Sequence, residues 1–222
     1  ACQKADYWLP IRPGTDPALQ LGVTHVLLEE KLYDADFVKR FTDFPLLVRL
    51  DTLKLLRAKD INPGYENAKL TGYSSTVQKI SPELREKMGD FVVWDTKTNK
   101  PQVITREDVG RYIDEKGLDP ALEGNFQVAG IDGKAIEVRT VFQLYRELCA
   151  EYDPATVQEI CGTPKELIVR LARDLGSIKP AAVHTGEGIN HYFHCDITTR
   201  GNFLWMALTG NIGQAGSGVG HW

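Results

Sequence analysis

The reading of the fold turns on Lys179 to Trp222, KPAAVHTGEGINHYFHCDITTRGNFLWMALTGNIGQAGSGVGHW. The stretch predicts a short buried strand at Ala181, Ala182 and Val183, then a glycine loop at Gly186 and Gly188. A polar cluster of Asn190, His191, Tyr192 and His194 follows, then a helix, then a second glycine-rich loop from Thr209 to Gly220. This order suits a large phosphate-bearing ligand. The strand carries the chain to a sheet edge, glycine lets the backbone come close, and the helix offers unpaired N–H groups to an anion. The plain alternative is a strand-to-helix turn that holds nothing, because a single glycine pattern is a weak signal. Two features count toward a ligand. GEGINH places His191 where a third glycine would complete the dinucleotide fingerprint, so a nicotinamide fits less well than a bulky polar cofactor. TGNIGQAGSGVG carries more glycine than one turn needs, and such runs mark unusual backbone angles or close ligand approach.

Upstream, Thr163-Pro164-Lys165-Glu166 reads as a capping box opening a helix through Leu167, Ile168, Leu171, Ala172 and Leu175. Asp153-Pro154 opens the preceding helix, which Gly162 closes. Thr140 to Ala150 is predicted helical, with Val141, Leu144, Tyr145 and Leu148 on one face. Helix, strand, loop, helix is the repeating unit of a doubly wound, Rossmann-like sheet, so an α/β fold with mostly parallel strands is expected.

The opening DYWLPIRPGTDPALQLGVTHV reads as strand, turn, helix. Trp8, Leu9 and Ile11 end the strand, and Arg12, Pro13 and Gly14 turn the chain. Asp16 caps a helix with Pro17 at its first position. Asp16 has a second possible role, accepting hydrogen bonds from a purine base, which spacing does not separate from capping. A further helix is expected over Ala35 to Phe41, and LLVRLD alternates like a strand. From about Ile61 to Arg139 the texture changes. VVWDTKTNKPQV and FQVAGIDGKAIEV read as hairpins, the second turning at Asp132-Gly133, with a short helix capped by Thr105 and Asp108 between them. Residues 61–139 therefore read as an inserted β-rich segment, with packing as its default role and access control or partner contact as alternatives.

At 222 residues the chain can bury a substantial core, and a net charge of -4 with scattered Lys and Arg argues against nucleic-acid binding. Its apolar runs are too short for a membrane span. Cys2, Cys149, Cys161 and Cys195 lack metal-binding spacing and read as free thiols. The sequence begins ACQKADYW with no initiator Met, which suggests an internal fragment.

With both ends in view, the chain resembles catalytic subunits of the dimethyl sulfoxide reductase superfamily, in particular the nitrate reductase and nitrite oxidoreductase branch. The carriers are WLPIRPGTDPALQLGVTHV (8–26), FTDFPLLVRLDT (41–52), YDPATVQEICGTPKELIVRLARDL (152–175) and GEGINHYFHCDITTRGNFLWMALTGNIGQAGSGVGHW (186–222). In the middle, FVVWDTKTNKPQVITREDVG is similar to nitrite oxidoreductase. The resemblance implies molybdenum on two molybdopterin guanine dinucleotides, with this chain as part of the α/β domain that grips one of them. Gly14, Thr15 and Asp16 are then expected at the guanosine end, and Gly186, Gly188, Asn190 and His191 near the pterin. Tyr192, His194, Gly210 and Asn211 complete the cofactor-binding set.

The implied reaction interconverts nitrite and nitrate by two-electron oxygen-atom transfer, with nitrite oxidation preferred. His191 and Asn190 are the candidate catalytic residues, contacting the oxyanion or pterin, and a purely structural imidazole is the alternative for His191. Arg200 either meets a cofactor phosphate or forms a surface pair. The resemblance also implies an iron–sulfur β subunit, a membrane-associated haem or γ subunit, and an iron–sulfur cluster in the full-length subunit. The cluster ligands and the molybdenum-ligating aspartate are expected upstream of Ala1, leaving the fragment inactive alone. Alternatives are perchlorate, chlorate or selenate reductases and hydrocarbon or sulfide dehydrogenases of the same branch, a nicotinamide-dependent dehydrogenase, or a non-catalytic binding domain.

Overall fold

A computed structural model of the chain describes residues 4–70 and 80–221, with the backbone alone at His221. Cys2 and Trp222 lie outside the described residues. The elements in chain order are α1 (Asp16–Glu29), α2 (Ala35–Phe41), β1 (Leu47–Arg49), α3 (Ala58–Ile61), α4 (Pro82–Met88), β2 (Phe91–Asp95) and β3 (Lys100–Ile104). They continue with α5 (Arg111–Glu115), β4 (Asn125–Ala129), β5 (Ala135–Thr140), α6 (Val141–Ala150), α7 (Pro154–Cys161) and α8 (Lys165–Ser177). Last come β6 (Ala182–Thr185), a 3-10 turn (Glu187–His191), α9 (Cys195–Leu208) and β7 (Gly218–His221). The chain forms two compact units, one joining the residues up to Ala35 with those from Tyr145 onward, the other spanning Asp36–Leu144.

In the first unit, α1 is the central element. Its buried residues, including Ala18, Gln20, Val23, Thr24, Leu27 and Leu28, face almost every direction, so it is enclosed rather than amphipathic. Helices α7, α8 and α9 all pack on it. Val23, Val26 and Leu27 meet Val157 and Cys161 of α7, Ile168, Ala172 and Leu175 of α8, and Trp205 and Met206 of α9. Each fully buried Val or Leu in this cluster contributes about 1.5–3 kcal/mol.

Strands β6 and β7 pair in parallel from Ala182↔Gly218 to Thr185↔His221, with α9 as the connection, which makes one β-α-β unit. The α/β class is as expected, but this is the one parallel pair among the described residues, so the expected mostly parallel sheet is not what they form. Two reasons are visible. Trp8 to Ile11 does not join a sheet: Arg12 N donates instead to Cys161 O at 2.8 Å, and Pro10, which has no N–H, accepts from the Thr163 hydroxyl through its carbonyl at 2.5 Å. Strands β2–β3 and β4–β5 are each joined by a tight turn, which forces antiparallel pairing, and β1 pairs antiparallel with β5 across a long connection.

The second unit holds a three-stranded sheet ordered β1-β5-β4 and the β2–β3 hairpin, all antiparallel. Both predicted hairpins form. The second closes with Gly130 N donating to Lys134 O at 2.8 Å and Gly133 at φ +77°. Strand β2 is buried on both faces: Val92 packs with Leu47, Leu56 and Val138, while Phe91 and Val93 pack with Leu46 and Ile104. The unit runs from Asp36 to Leu144, wider than residues 61–139, because β1 supplies an edge strand to the sheet.

Several local expectations are corrected. Thr105 and Asp108 make the capping hydrogen bonds (Thr105 N to Asp108 Oδ2, 2.7 Å) but close only a turn, and the helix starts at Arg111. Thr163 is fully buried, and its hydroxyl is taken by Pro10 O, so it does not cap α8. Leu148 is exposed, and Phe142 and Cys149 are the buried residues of α6. By contrast, Asp153 caps α7 as predicted, accepting from Ala155 N and Thr156 N, and Gly162 ends it in the left-handed conformation.

Candidate functional site

Strand β6 ends at Thr185, and Gly186 follows beside a cavity of ≈ 270 Å3 lined by Asp16, Gln20, Thr185, Gly186, Ile189 and Asn202, among others. The start of α1 and the loop after β6 are 170 residues apart in sequence, and here they face one cavity. Its place, at the carboxyl end of a strand in a β-α-β unit, is where ligands of α/β sheets bind. A larger cavity of ≈ 420 Å3 lies in the second unit and contains none of the predicted site residues. Two of the cations lining it are already committed, Lys39 to Asp119 and Arg40 to Asp114. We therefore take the smaller one as the site.

Asp16 lines one side of the cavity; just before it, Gly14 has φ +83°, and a Cβ there would stand 3.3 Å from Cδ1 of Tyr192. The Thr15 hydroxyl donates to Arg12 O at 2.7 Å, which uses it to close the turn. Asp16 lies within the first turn of α1 and makes no side-chain cap, contrary to the capping expectation. Its carboxylate has no hydrogen-bond or ionic partner among the described residues. Arg12 supports this side from behind, its guanidinium donating to Glu159 O at 2.6 Å and Ile160 O at 3.0 Å at the end of α7. Nearby, Tyr7 donates to Asp174 at 2.7 Å. Burial first, then this bond and the carboxylate charge, push its phenol up to about 12.

On the other side, Gly186 and Ile189 line the cavity, while Asn190 and His191 of the 3-10 turn Glu187–His191, Tyr192 and the left-handed His194 (φ 60°) before α9 follow them in the chain without lining it. Gly186 has φ -100°, and a Cβ at Gly186 or Gly188 would meet nothing within 4 Å. Neither crowding nor a left-handed backbone demands glycine at these two positions, so their small size leaves the loop open to close approach by a large group. Asn190, His191, Tyr192 and His194 are all exposed on this turn, and the His194 ring lies 3.9 Å from that of Phe193. Arg200 makes no ion pair or hydrogen bond among the described residues.

Gly210 and Asn211 do not join this group. Gly210 (φ +68°) ends α9, with a Cβ position only 2.6 Å from Asp34 Oδ2. Asn211 is fully buried: its Oδ1 accepts from Ala181 N at 2.9 Å, and its Nδ2 donates to the Thr209 hydroxyl at 2.8 Å. Gly218 N donates to Ala181 O at 3.3 Å, so both ends of the 212–217 loop return to Ala181. These residues hold the β6–α9–β7 unit together.

Sequence reasoning missed the polar residues below the loop. Gln20 Nε2 donates to Asn202 Oδ1 at 2.9 Å and to Thr198 O at 2.7 Å, and Asn202 Nδ2 donates to Thr185 Oγ1 at 3.1 Å. The signal was present. Gln20 falls in register with Val23 and Leu27, and Asn202 with Trp205 and Met206, so each is an amide on a buried helical stripe.

A family model described as molybdopterin oxidoreductase matches residues 1–222. The chain belongs to that family. Membership sets aside the nicotinamide dehydrogenase reading. Among curated relatives, perchlorate reductase subunit alpha of Dechloromonas aromatica is 35% identical over 99% of this chain and 24% of its own length. Respiratory nitrate reductase subunit alpha of Haloferax mediterranei is 34% identical over 98% of this chain and 21% of its own. The chain thus spans about a quarter of the length of the relatives it matches. Among solved structures, acetylene hydratase from Pelobacter acetylenicus overlays 96% of this chain and 16% of its own with a TM-score of 0.47 and 17% identity, below the level that fixes a common fold.

No helix among the described residues is long and apolar enough to cross a membrane.

Proposed function

We propose that this chain is part of the catalytic subunit of a molybdenum oxidoreductase and holds a molybdopterin guanine dinucleotide between the Gly14–Asp16 turn and the Gly186–His194 segment. One observation carries the reading: a single cavity at the carboxyl end of β6 is lined by both Asp16 and Gly186. The residues fit the group. The open sides of Gly186 and Gly188 leave room for a bulky ring system, and the Asp16 carboxylate, unpaired among the described residues, suits the N–H edge of a guanine. Arg200, without a partner among the described residues, suits a phosphate. When bound, the molybdenum–pterin group supplies two-electron redox chemistry and exchange of an oxygen atom with the substrate. The chain's own residues bind and orient. The proposed role of His191 and Asn190, both exposed on the 3-10 turn, is to donate hydrogen bonds to an oxyanion or to the pterin. A doubly wound sheet completed in the longer protein is the setting in which β6 and β7 would act.

For the substrate, we propose interconversion of nitrite and nitrate, with nitrite oxidation preferred. The likeness of residues 91–110 to nitrite oxidoreductase supports the direction, and the nitrate reductase relative supports the oxyanion. Perchlorate reduction is the second reading, favoured by the 35% identity to a perchlorate reductase subunit. An iron–sulfur β subunit, a haem or γ subunit and an iron–sulfur cluster complete the proposed complex. The test takes the full-length catalytic subunit with its partners, measures molybdenum and guanine nucleotide, and assays nitrite with an electron acceptor and nitrate, chlorate and perchlorate with a reduced viologen. Molybdenum with guanine nucleotide and nitrite turnover are expected. Bound NAD or no pterin overturns the cofactor, and turnover of perchlorate alone overturns the substrate.

A further inference from the structure

Gln20, Thr185, Thr198 and Asn202 are 8, 3, 5 and 9% exposed, among the most enclosed polar residues of the first unit. They form one directed chain. Gln20 of α1, one turn after Asp16, donates its amide N–H to α9 through Thr198 O and Asn202 Oδ1. Asn202 passes its own amide N–H to the hydroxyl of Thr185. Thr185 is the last residue of β6, immediately before Gly186. The chain therefore runs from the helix bearing Asp16 to the residue that launches the glycine loop, and Gln20, Asn202 and Thr185 all line the ≈ 270 Å3 cavity between them. Helix α9 is drawn in so tightly that a Cβ on Gly201 would lie 2.0 Å from Gln20 Oε1. Trp205 Nε1 and the Thr24 hydroxyl both donate to Gln20 O, at 3.1 and 2.8 Å, which fixes the backbone that carries the amide.

We infer that the Gln20–Asn202–Thr185 chain is a positioning device that sets the Gly186 loop at a fixed separation from Asp16, so that both walls engage one dinucleotide. Core cohesion alone does not call for it. The apolar residues of α1, α8 and α9 already close the interior, and an amide pair in that interior must find every partner or destabilise it. Supporting hydrogen bonds of this kind are what hold a binding group within a fraction of an ångström of its working place. The inference rests on the proposed dinucleotide site but is separable from it.

The test compares Thr185→Val, which keeps shape and removes the hydroxyl, with Thr185→Ser, which restores it, in the full-length catalytic subunit. Guanosine monophosphate released on hydrolysis gives dinucleotide content per folded chain, and amide hydrogen exchange over residues 182–191 of cofactor-free protein reports the loop itself. Thr185→Val is expected to fold, to exchange faster over that segment, and to retain dinucleotide roughly tenfold less well, the low end of what loss of a supporting partner costs a bound group. Thr185→Ser is expected to recover both. Parental exchange and parental dinucleotide content in Thr185→Val would overturn the inference, as would a lower melting temperature with both readouts unchanged. A parent protein without guanine nucleotide would sink the cofactor reading, while the exchange comparison would still decide the positioning role. Asn202→Leu, which breaks both links, provides the same comparison if Thr185→Val does not accumulate.

Discussion

Gly14 faces the ring of Tyr192, with a Cβ position only 3.3 Å from its Cδ1. The turn before α1 and the segment before α9 thus lie against each other.

Gly14→Ala is expected to destabilise the first unit by about 1–3 kcal/mol, because φ +83° is a left-handed conformation that a side chain resists. Tyr192 is partly exposed, so its ring can yield a few tenths of an ångström. A double-mutant cycle with Tyr192→Ala should therefore give a coupling below about 1 kcal/mol, read from thermal unfolding. A larger coupling would show that the ring, and not the backbone angle, excludes a side chain.

Gly201→Ala is expected to cost about 1–3 kcal/mol for a different reason, overpacking against Gln20. Gln20 is buried and bonded, so it cannot swing aside. Shortening it in a Gly201→Ala/Gln20→Ala double variant should make the second change cost less than it does alone. Strict additivity in the melting temperatures would mean that α9 simply shifts.

Asp95 of the second unit is 1% exposed and accepts from Asp119 N at 2.8 Å, Thr98 N at 3.0 Å and the Thr98 hydroxyl at 2.7 Å. Burial pushes its carboxyl up, but these bonds outweigh burial and hold it below the ordinary carboxylate value. The folded-state pKa thus lies below the unfolded one, so the stabilisation is complete above about pH 4 and is lost as pH falls through the folded value. Asp95→Asn should cost about 1–3 kcal/mol at neutral pH. It should also flatten the acid limb of the stability profile, and an unchanged acid limb would remove Asp95 from the account.

Burial pushes the Cys149 thiol up to about 12, and the Tyr145 hydroxyl bonded to it offsets this only partly. Cys161 is fully buried. Under native conditions at pH 8, iodoacetamide followed by peptide mapping should label Cys195, which is partly exposed, and leave Cys149 and Cys161 unlabelled until denaturant is added. Native labelling of Cys149 would indicate that α6 opens locally.

Helix and hairpin positions were legible because their signals are local. Asp153-Pro154 with Gly162 gave both ends of α7, and Asp132-Gly133 gave a hairpin turn. Composition and spacing did not reveal which polar groups would be claimed by distant partners. Thr163 looked like a cap until the Pro10 carbonyl, 153 residues away, took its hydroxyl. Asn211 looked like a ligand contact until Ala181 took its side-chain oxygen. The Gly186 and Gly188 loop was legible as a loop, but its approach to Asp16 depends on α1 and α9 packing together, which no short window contains. Beyond β6 and β7 the described residues show no parallel pairing, for a related reason. Alternation identifies a strand, whereas pairing direction follows from the length and course of the connection.

The clasp at Ala181 bears on how the molecule could be altered by design. The loop 212–217 leaves Ala181 through Asn211 and returns to it through Gly218 N. Its contour can therefore be lengthened without displacing β7 in its register with β6, and each doubling of a flexible loop costs only about 0.6 kcal/mol of closure entropy. With residues 212–216 facing solvent, this is the place to graft an epitope tag or a fluorophore-bearing peptide while leaving the glycine loop after β6 untouched.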